Sequence, residues 1–283
     1  MTTPTQDGQA SVNGLLMGRD TSYKLLSFNP WTKNVRAEQQ AERAWNHGSW
    51  SGPEWAEAAV VPMRVLPRGV DAASWLGLHQ QLIAAFRPSH VDVELRFMVG
   101  GTEYLMRGRP RMVEPAAVMI GTGQVFTQCA FLALDPRIYS AAEHTGSIGL
   151  PSSTGGLTIA VTVPFTVPAV VTAGRATLTN AGTEATGLLL RVDGPVASPR
   201  VTLTGPDGPQ ALIFNLTLTT GQWLDVDTAA RTVYINGTSS RRGLTAVVGD
   251  WPLLPPGPWE LAFDAAAFDA AAQLSWTFRD AWM

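Results

Sequence analysis

Four histidines (His47, His79, His90 and His144), one cysteine (Cys129) and 23 Asp/Glu make up the chain's stock of imidazole, thiol and carboxylate groups. No two histidines stand at i, i+3 or i+4, and no acidic pair completes a ligand set beside them, so the spacing offers no metal site. They read as surface or capping histidines. Cys129 falls mid-strand among Phe126, Phe131 and Leu132 with no histidine near it in sequence. It reads as a small buried hydrophobe rather than a nucleophile. There is no Gly-x-Ser-x-Gly elbow. Gly121-Thr-Gly123 and Val99-Gly-Gly101 lie near strands, but neither continues into a phosphate-binding loop, and both read as hairpin turns. Glu54 with Glu57, and Asp264 with Asp269, are the kind of carboxylate pairs that acid–base hydrolysis requires, without the residues that would support it. Arg107, Arg109 and Arg111 alternate along one strand-like segment, a pattern open to three readings: a lumen lining, a surface for an acidic partner, or a solvated strand face. The sequence therefore predicts no catalytic residue, no metal site and no cofactor.

The aromatic residues are the most unusual feature. Of ten tryptophans, Trp31, Trp45, Trp50 and Trp55 crowd one N-terminal stretch. Trp is enriched at interface hot spots, and an exposed ring on a sandwich can stack on a sugar; core filling is the bland alternative. Segment 29–62 has little regular period, and long segments of that kind are usually functional or partner-bound. We expect it at subunit boundaries. In the second half, Trp223, Trp251 and Trp259 are the rings best placed for a sugar, and packing is expected for at least two of them.

The elements that must position these residues follow from periodicity. Asp71 to Pro88 reads as a helix capped by Asp71 or Ser74, with Trp75, Leu78/His79, Leu82 and Phe86 on one face and Pro88 as its stop. From His90, apolar and polar residues alternate to Val99, Gly100-Gly101 turns the chain, and Thr102–Arg107 returns, a hairpin signature. A further strand runs over Gln124–Leu134. Beyond residue 156, turn signals recur about every ten residues (Asn180-Ala-Gly182, Asp193-Gly-Pro195, Gly205 to Pro209, Thr220-Gly221, Asn236-Gly237), the spacing of an antiparallel sandwich. Asp193, Asp207, Asp225 and Asp227 sit in or beside such turns and read as Asx-type hydrogen-bond acceptors. The expected organisation is mainly β: an α+β domain over 1–139 (antiparallel strands plus one helix), a small-residue linker or crossing segment over 140–156, and a β-sandwich over 157–283.

Composition sets the outer bounds. The chain has 283 residues, 45% hydrophobic and 15% charged, with a net charge of -3. That argues against disorder and against a general nucleic-acid binder. No run approaches the ~18 apolar residues of a membrane span, the start lacks the pattern of a secretory signal, and one cysteine excludes an intramolecular disulfide framework.

Several motifs in order resemble one family. Asp135-Pro-Arg-Ile-Tyr-Ser140 looks like the end of the N-terminal domain of siphophage distal tail proteins. Gly174 to Thr186 with Asn180-Ala-Gly182, Val192-Asp-Gly-Pro195 with Pro199, and Trp223 to Gly237 are similar to the opening, next turn and hairpin of the second domain. Leu254-Pro-Pro-Gly257 and Arg279-Asp-Ala-Trp282 match its late turn and its end. The resemblance covers most of residues 60–283 and departs before residue 60. It implies a structural virion protein without enzymatic activity: a ring, commonly a homohexamer, at the distal end of the phage tail. The first domain would form the ring and the second would project as a galectin-like sandwich. The implied partners are the tail tube protein, the tail-tip hub or tail-associated lysin, and receptor-binding proteins of the baseplate. The alternative function is carbohydrate binding, with the C-terminal sandwich gripping host-wall glycans.

Overall fold

The computed structural model describes residues 2–38, 41–115, 125–154, 170–172, 174–206 and 208–283. The chain divides into two compact units, residues 1–142 with 282–283, and residues 143–281. Asp207 and the Gly121-Thr-Gly123 turn lie outside the described residues. So do residues 155–156 of the stretch read as a linker.

The first unit is a mixed α+β body. Its sheet runs in the order Leu15–Gly18, Gln9–Val12, Val93–Val99, Thr102–Pro115, Thr127–Ala133, Ala59–Pro67 and Tyr23–Phe28. Period-2 patterning sets the faces: Leu95 and Phe97 turn into the core while Glu94 and Arg96 lie on the other side. Gly100 and Gly101 take positive φ (62° and 73°), the backbone a type I′ hairpin requires and β-carbons resist. The returning strand runs further than expected, to Pro115, with a bulge between Pro110 and Met112. That bulge places Arg111 out of register.

The helix spans Ala72–Ala85. The amide of Ser74 donates to Asp71 Oδ1 (2.7 Å) while Asp71 N–H donates to Ser74 Oγ (3.1 Å), a reciprocal capping box. Its inward face carries His79, Leu82 and Ala85, which join Val65, Phe97, Met106, Cys129 and Phe131 in one core.

The second unit is a two-sheet antiparallel sandwich. One sheet orders His144–Gly149, Gln273–Phe278, Leu189–Asp193, Trp223–Asp227, Thr232–Ile235 and Ser239–Ser240. The other orders Arg175–Asn180, Gly257–Asp264, Arg200–Gly205, Gly208–Phe214 and Thr245–Val248. Leu190, Val192, Leu224, Val226 and Leu274 of the first meet Leu178, Leu203, Leu212, Phe214 and Phe263 of the second in a single core. Asn236 and Gly237 take φ of 51° and 68°, as the type I′ signal requires.

Within the stretch 140–156, His144–Gly149 pairs residue for residue with Gln273–Phe278 and forms an edge of the six-stranded sheet. Its small residues have a packing reason: a Cβ at Gly146 would collide with the Trp276 indole.

Candidate functional site

The segment 29–62 is organised, although its short ladders give little periodicity. Val35–Ala37 pairs with Glu54–Ala56, and Ala41–Glu42 with Ser49–Trp50, in one continuing antiparallel register. The amide of Arg43 donates to Gly48 O (3.1 Å) near the tip. The result is a long two-stranded arm. Trp45 at its tip is 96% exposed, Trp50 64% and Trp55 57%; the Arg43 guanidinium lies 4.6 Å over the Trp50 ring. A lone two-stranded hairpin is marginally stable in water, and three indoles in solvent are a large unburied apolar area.

Trp31 plays a different part, at the root of the arm. Its ring meets Phe97 and Tyr104 edge-on (6.3 and 5.6 Å between centroids), and Tyr104 meets Trp282 the same way at 5.2 Å. Lys33 Nζ donates to the carbonyls of Pro136 and Pro30. Its burial pushes the ammonium pKa down, opposed by the nearby Asp135 carboxylate. Asp135 accepts from the Tyr139 hydroxyl (2.5 Å) and from the Arg137 amide (3.1 Å). Burial and then the Asp135 charge hold the Tyr139 hydroxyl above the usual tyrosine range. The Asp135–Ser140 motif is thus a clamp under the root of the arm.

The motifs of the second unit also converge on structure. Asn180 Nδ2 donates to the carbonyls of Glu184 (2.8 Å) and Leu254 (3.0 Å), and its Oδ1 accepts from Gly182 N (2.9 Å). Asp280 accepts from Ala181 N and lies 2.9 Å from His144 Nε2, while Arg279 pairs with Glu143 at 2.7 Å. Gly182 is required because a Cβ there would overlap Ala281 O. The Asn180 turn, the Leu254 turn and the Arg279–Ala281 end therefore close on each other.

The remaining candidate residues are dispersed. His47 and His90 are exposed. His79 is buried, stacked on Trp75 at 4.9 Å, with Nδ1 3.3 Å from Thr127 Oγ1; desolvation lowers its pKa. Burial pushes the Cys129 thiol up to about 12. Glu54 and Glu57 sit exposed on the arm and at its base. Asp269 Oδ1 accepts from Ala271 N (2.9 Å) in a turn, and Asp264 lies exposed at a strand end. Arg109 pairs with Asp92 at 2.7 Å and Arg107 reaches Glu94 at 3.9 Å, so that face is a mixed-charge network. Among the described residues no group of three or more His, Cys, Asp or Glu is arranged to hold a metal ion.

The second unit's aromatic and acidic residues separate by face. Trp251 and Trp259 are 4% exposed and belong to the core. Trp223 lies on the outer face, with the Arg191 guanidinium 4.5 Å over its ring and its Nε1 donating to Asp225 Oδ2 (2.8 Å). Asp227 is a local turn acceptor, its Oδ1 taking the amide of Ala230 three residues on (2.8 Å). The Asx-type reading does not hold for Asp193, which pairs with Arg191 (3.0 Å), nor for Asp225, which takes the indole N–H. Sequence reasoning missed Tyr234, Leu189 and Arg191 on the same face; the alternation along Leu189–Asp193 and Thr232–Ile235 was the available signal.

Residues 181–282 match the family described as siphovirus-type tail component, C-terminal domain. No curated protein sequence matches the chain. Among solved structures, the chain is similar to the Dit protein of phage SPP1, described as a paradigm of the hub adsorption apparatus in phages infecting Gram-positive hosts. That similarity has a TM-score of 0.69 at 13% identity and covers 97% of this chain and 99% of that one. It is also similar to chains of the phage p2 baseplate in its activated conformation, with Ca and with Sr. For these the TM-score is 0.50 at 9% and 10% identity, over 95% of this chain and 97% of those. At such identities the structural likeness speaks for the fold.

Proposed function

We propose that this chain, which carries the siphovirus tail-component signature over residues 181–282 and the Dit fold over nearly its whole length, is a distal tail protein. In this reading it forms a ring, a homohexamer, that joins the tail tube to the tail-tip hub or tail-associated lysin. Receptor-binding proteins attach around it, and its place is the distal end of the virion tail. The role is structural and non-enzymatic. The two compact units act as separate domains, the first building the ring and the second projecting from it.

The observation that carries the reading is the arm. A two-stranded ribbon with Trp45, Trp50 and Trp55 in solvent has its root fixed by Lys33, Asp135 and Tyr139. A rigid root with an uncovered aromatic tip suits insertion into a neighbouring copy. Head-to-tail contacts of that kind close into rings when the rotation per subunit allows, and obligate interfaces bury on the order of 2,000–5,000 Å² with aromatic anchors. Negative-stain micrographs of the purified full chain test this: annular particles are expected, and a field without annular particles at high protein concentration would overturn it.

A second reading, glycan binding by the sandwich, is favoured by a groove of about 390 Å³ on the outer face of the six-stranded sheet. It does not rest on Trp251 or Trp259, which are core residues.

A further inference from the structure

We propose that this groove is a binding site for a neutral, hydroxyl-rich saccharide, with Asp225, Asp227 and Tyr234 as its principal contacts. The proposal gives residues to the second reading above and is independent of ring formation.

Strand register assembles the site. Ser275, Arg191, Asp225, Tyr234 and Ser240 lie side by side in one row across the sheet, and Thr277, Leu189, Asp227 and Thr232 in the adjacent row. Alternation sends all of them outward while Leu190, Val192, Leu224, Val226 and Val233 go to the core. The groove lies over these two rows, and its size falls within the about 300–1,000 Å³ typical of ligand sites.

The chemistry of the lining selects the ligand. Asp225 Oδ2 accepts from the Trp223 indole N–H and Asp227 Oδ1 accepts from the Ala230 amide. The other oxygen of each has no hydrogen-bond partner among the described residues, and no described Lys, Arg or His forms an ion pair with either carboxylate. An ionised carboxylate accepts only, and its bonds from hydroxyl donors are short and about twice as strong as neutral ones. Two such acceptors, two residues apart on one strand and so about 7 Å apart along it, can each take hydroxyls from a different edge of a pyranose. Thr232, Ser275 and Thr277 add groups that both donate and accept. Leu189, more than half exposed, supplies an apolar floor, and the Tyr234 ring, 38% exposed, an aromatic wall.

Acidic sugars are disfavoured. The one guanidinium in the groove, Arg191, is already held by Asp193 and stacked on Trp223, so an incoming carboxylate would meet Asp225 and Asp227 without a free cation to receive it. The same stacking withdraws the covered face of Trp223 as a sugar platform and passes that part to Tyr234.

The test is saturation-transfer NMR and calorimetry on the full chain. The probes are methyl glycosides of glucose, galactose and N-acetylglucosamine, with glucuronate and calcium chloride as separate probes. At least one neutral glycoside is expected to bind with Kd on the order of 1 mM. Asp225→Asn should weaken it about tenfold or more, the scale of a weakened charge-assisted hydrogen bond, and Tyr234→Ala about as much through loss of the aromatic wall. Asp225→Asn keeps an acceptor for the indole, and unchanged melting shows the fold is intact. Trp45→Ala, in the other unit, should leave sugar binding unaltered, which separates failure of this site from failure of assembly. The proposal is overturned if no neutral glycoside binds at tens of millimolar, or if binding survives both groove substitutions. It is also overturned if glucuronate or calcium binds there while neutral sugars do not.

Discussion

Replacing Trp45 by alanine should leave the isolated chain as stable as before and cripple its self-association. The indole is 96% exposed, so its removal takes little from the folded monomer; surface changes of this kind lie within about 0.5 kcal/mol. In an assembly that covers the arm the same ring would bury about 150–250 Å². At about 25 cal/mol per Å² that is worth roughly 4–6 kcal/mol. Ordering the arm and its partner side chains offsets about 1–2 kcal/mol, leaving roughly 2–5 kcal/mol, the range of an interface hot spot. The association midpoint should therefore shift about 30- to 4,000-fold to higher concentration. Sedimentation velocity across a dilution series reads this shift, and thermal melts at the lowest concentration read monomer stability. Two results would refute the reasoning: an unchanged association curve, or a monomer melting several degrees lower, which would mean the ring already packs within its own chain.

Three further outcomes follow from the cores. His79 is buried with its pKa lowered by desolvation, so the unfolded chain takes up the proton first. Its contribution is full above about pH 6.5 and falls as pH drops from there toward the lowered folded value, at most about 1.4 kcal/mol per pH unit; His79→Phe should flatten that slope in urea melts, and an identical slope would count against it. Cys129, buried with its thiol pushed up to about 12, should stay unlabelled by a disulfide reagent at pH 8 until guanidinium is added; rapid native labelling would contradict the core placement. Gly205→Ala would drive a methyl into the Trp259 ring, an overpacking cost of about 1–3 kcal/mol. The melting of the second unit should drop by about 3–12 °C, and an unchanged melt would show that Trp259 moves freely.

What was legible in the sequence was what periodicity and turn chemistry encode locally. The helix after Asp71 declared its cap, its buried face and its stop. The Gly100-Gly101 and Asn236-Gly237 hairpins declared their positive φ. The arm did not, because its ladders at residues 35–37 and 41–42 are too short to show a period. His144–Gly149 reads as a linker or crossing segment because its small residues lie at a sheet edge where Trp276 supplies the bulk. Composition likewise could not tell Trp251 and Trp259 in the core from Trp45 in solvent. The groove was hidden for another reason: Asp225, Asp227 and Tyr234 come together only through strand register, which no local pattern reports.

The most direct test of the central proposal is the mass of the full-length chain by mass photometry at nanomolar to micromolar concentration. A closed ring predicts one dominant species near six times the 30.3 kDa chain mass, falling to single chains on dilution without a ladder of open intermediates. A single 30.3 kDa species across the whole range would contradict it.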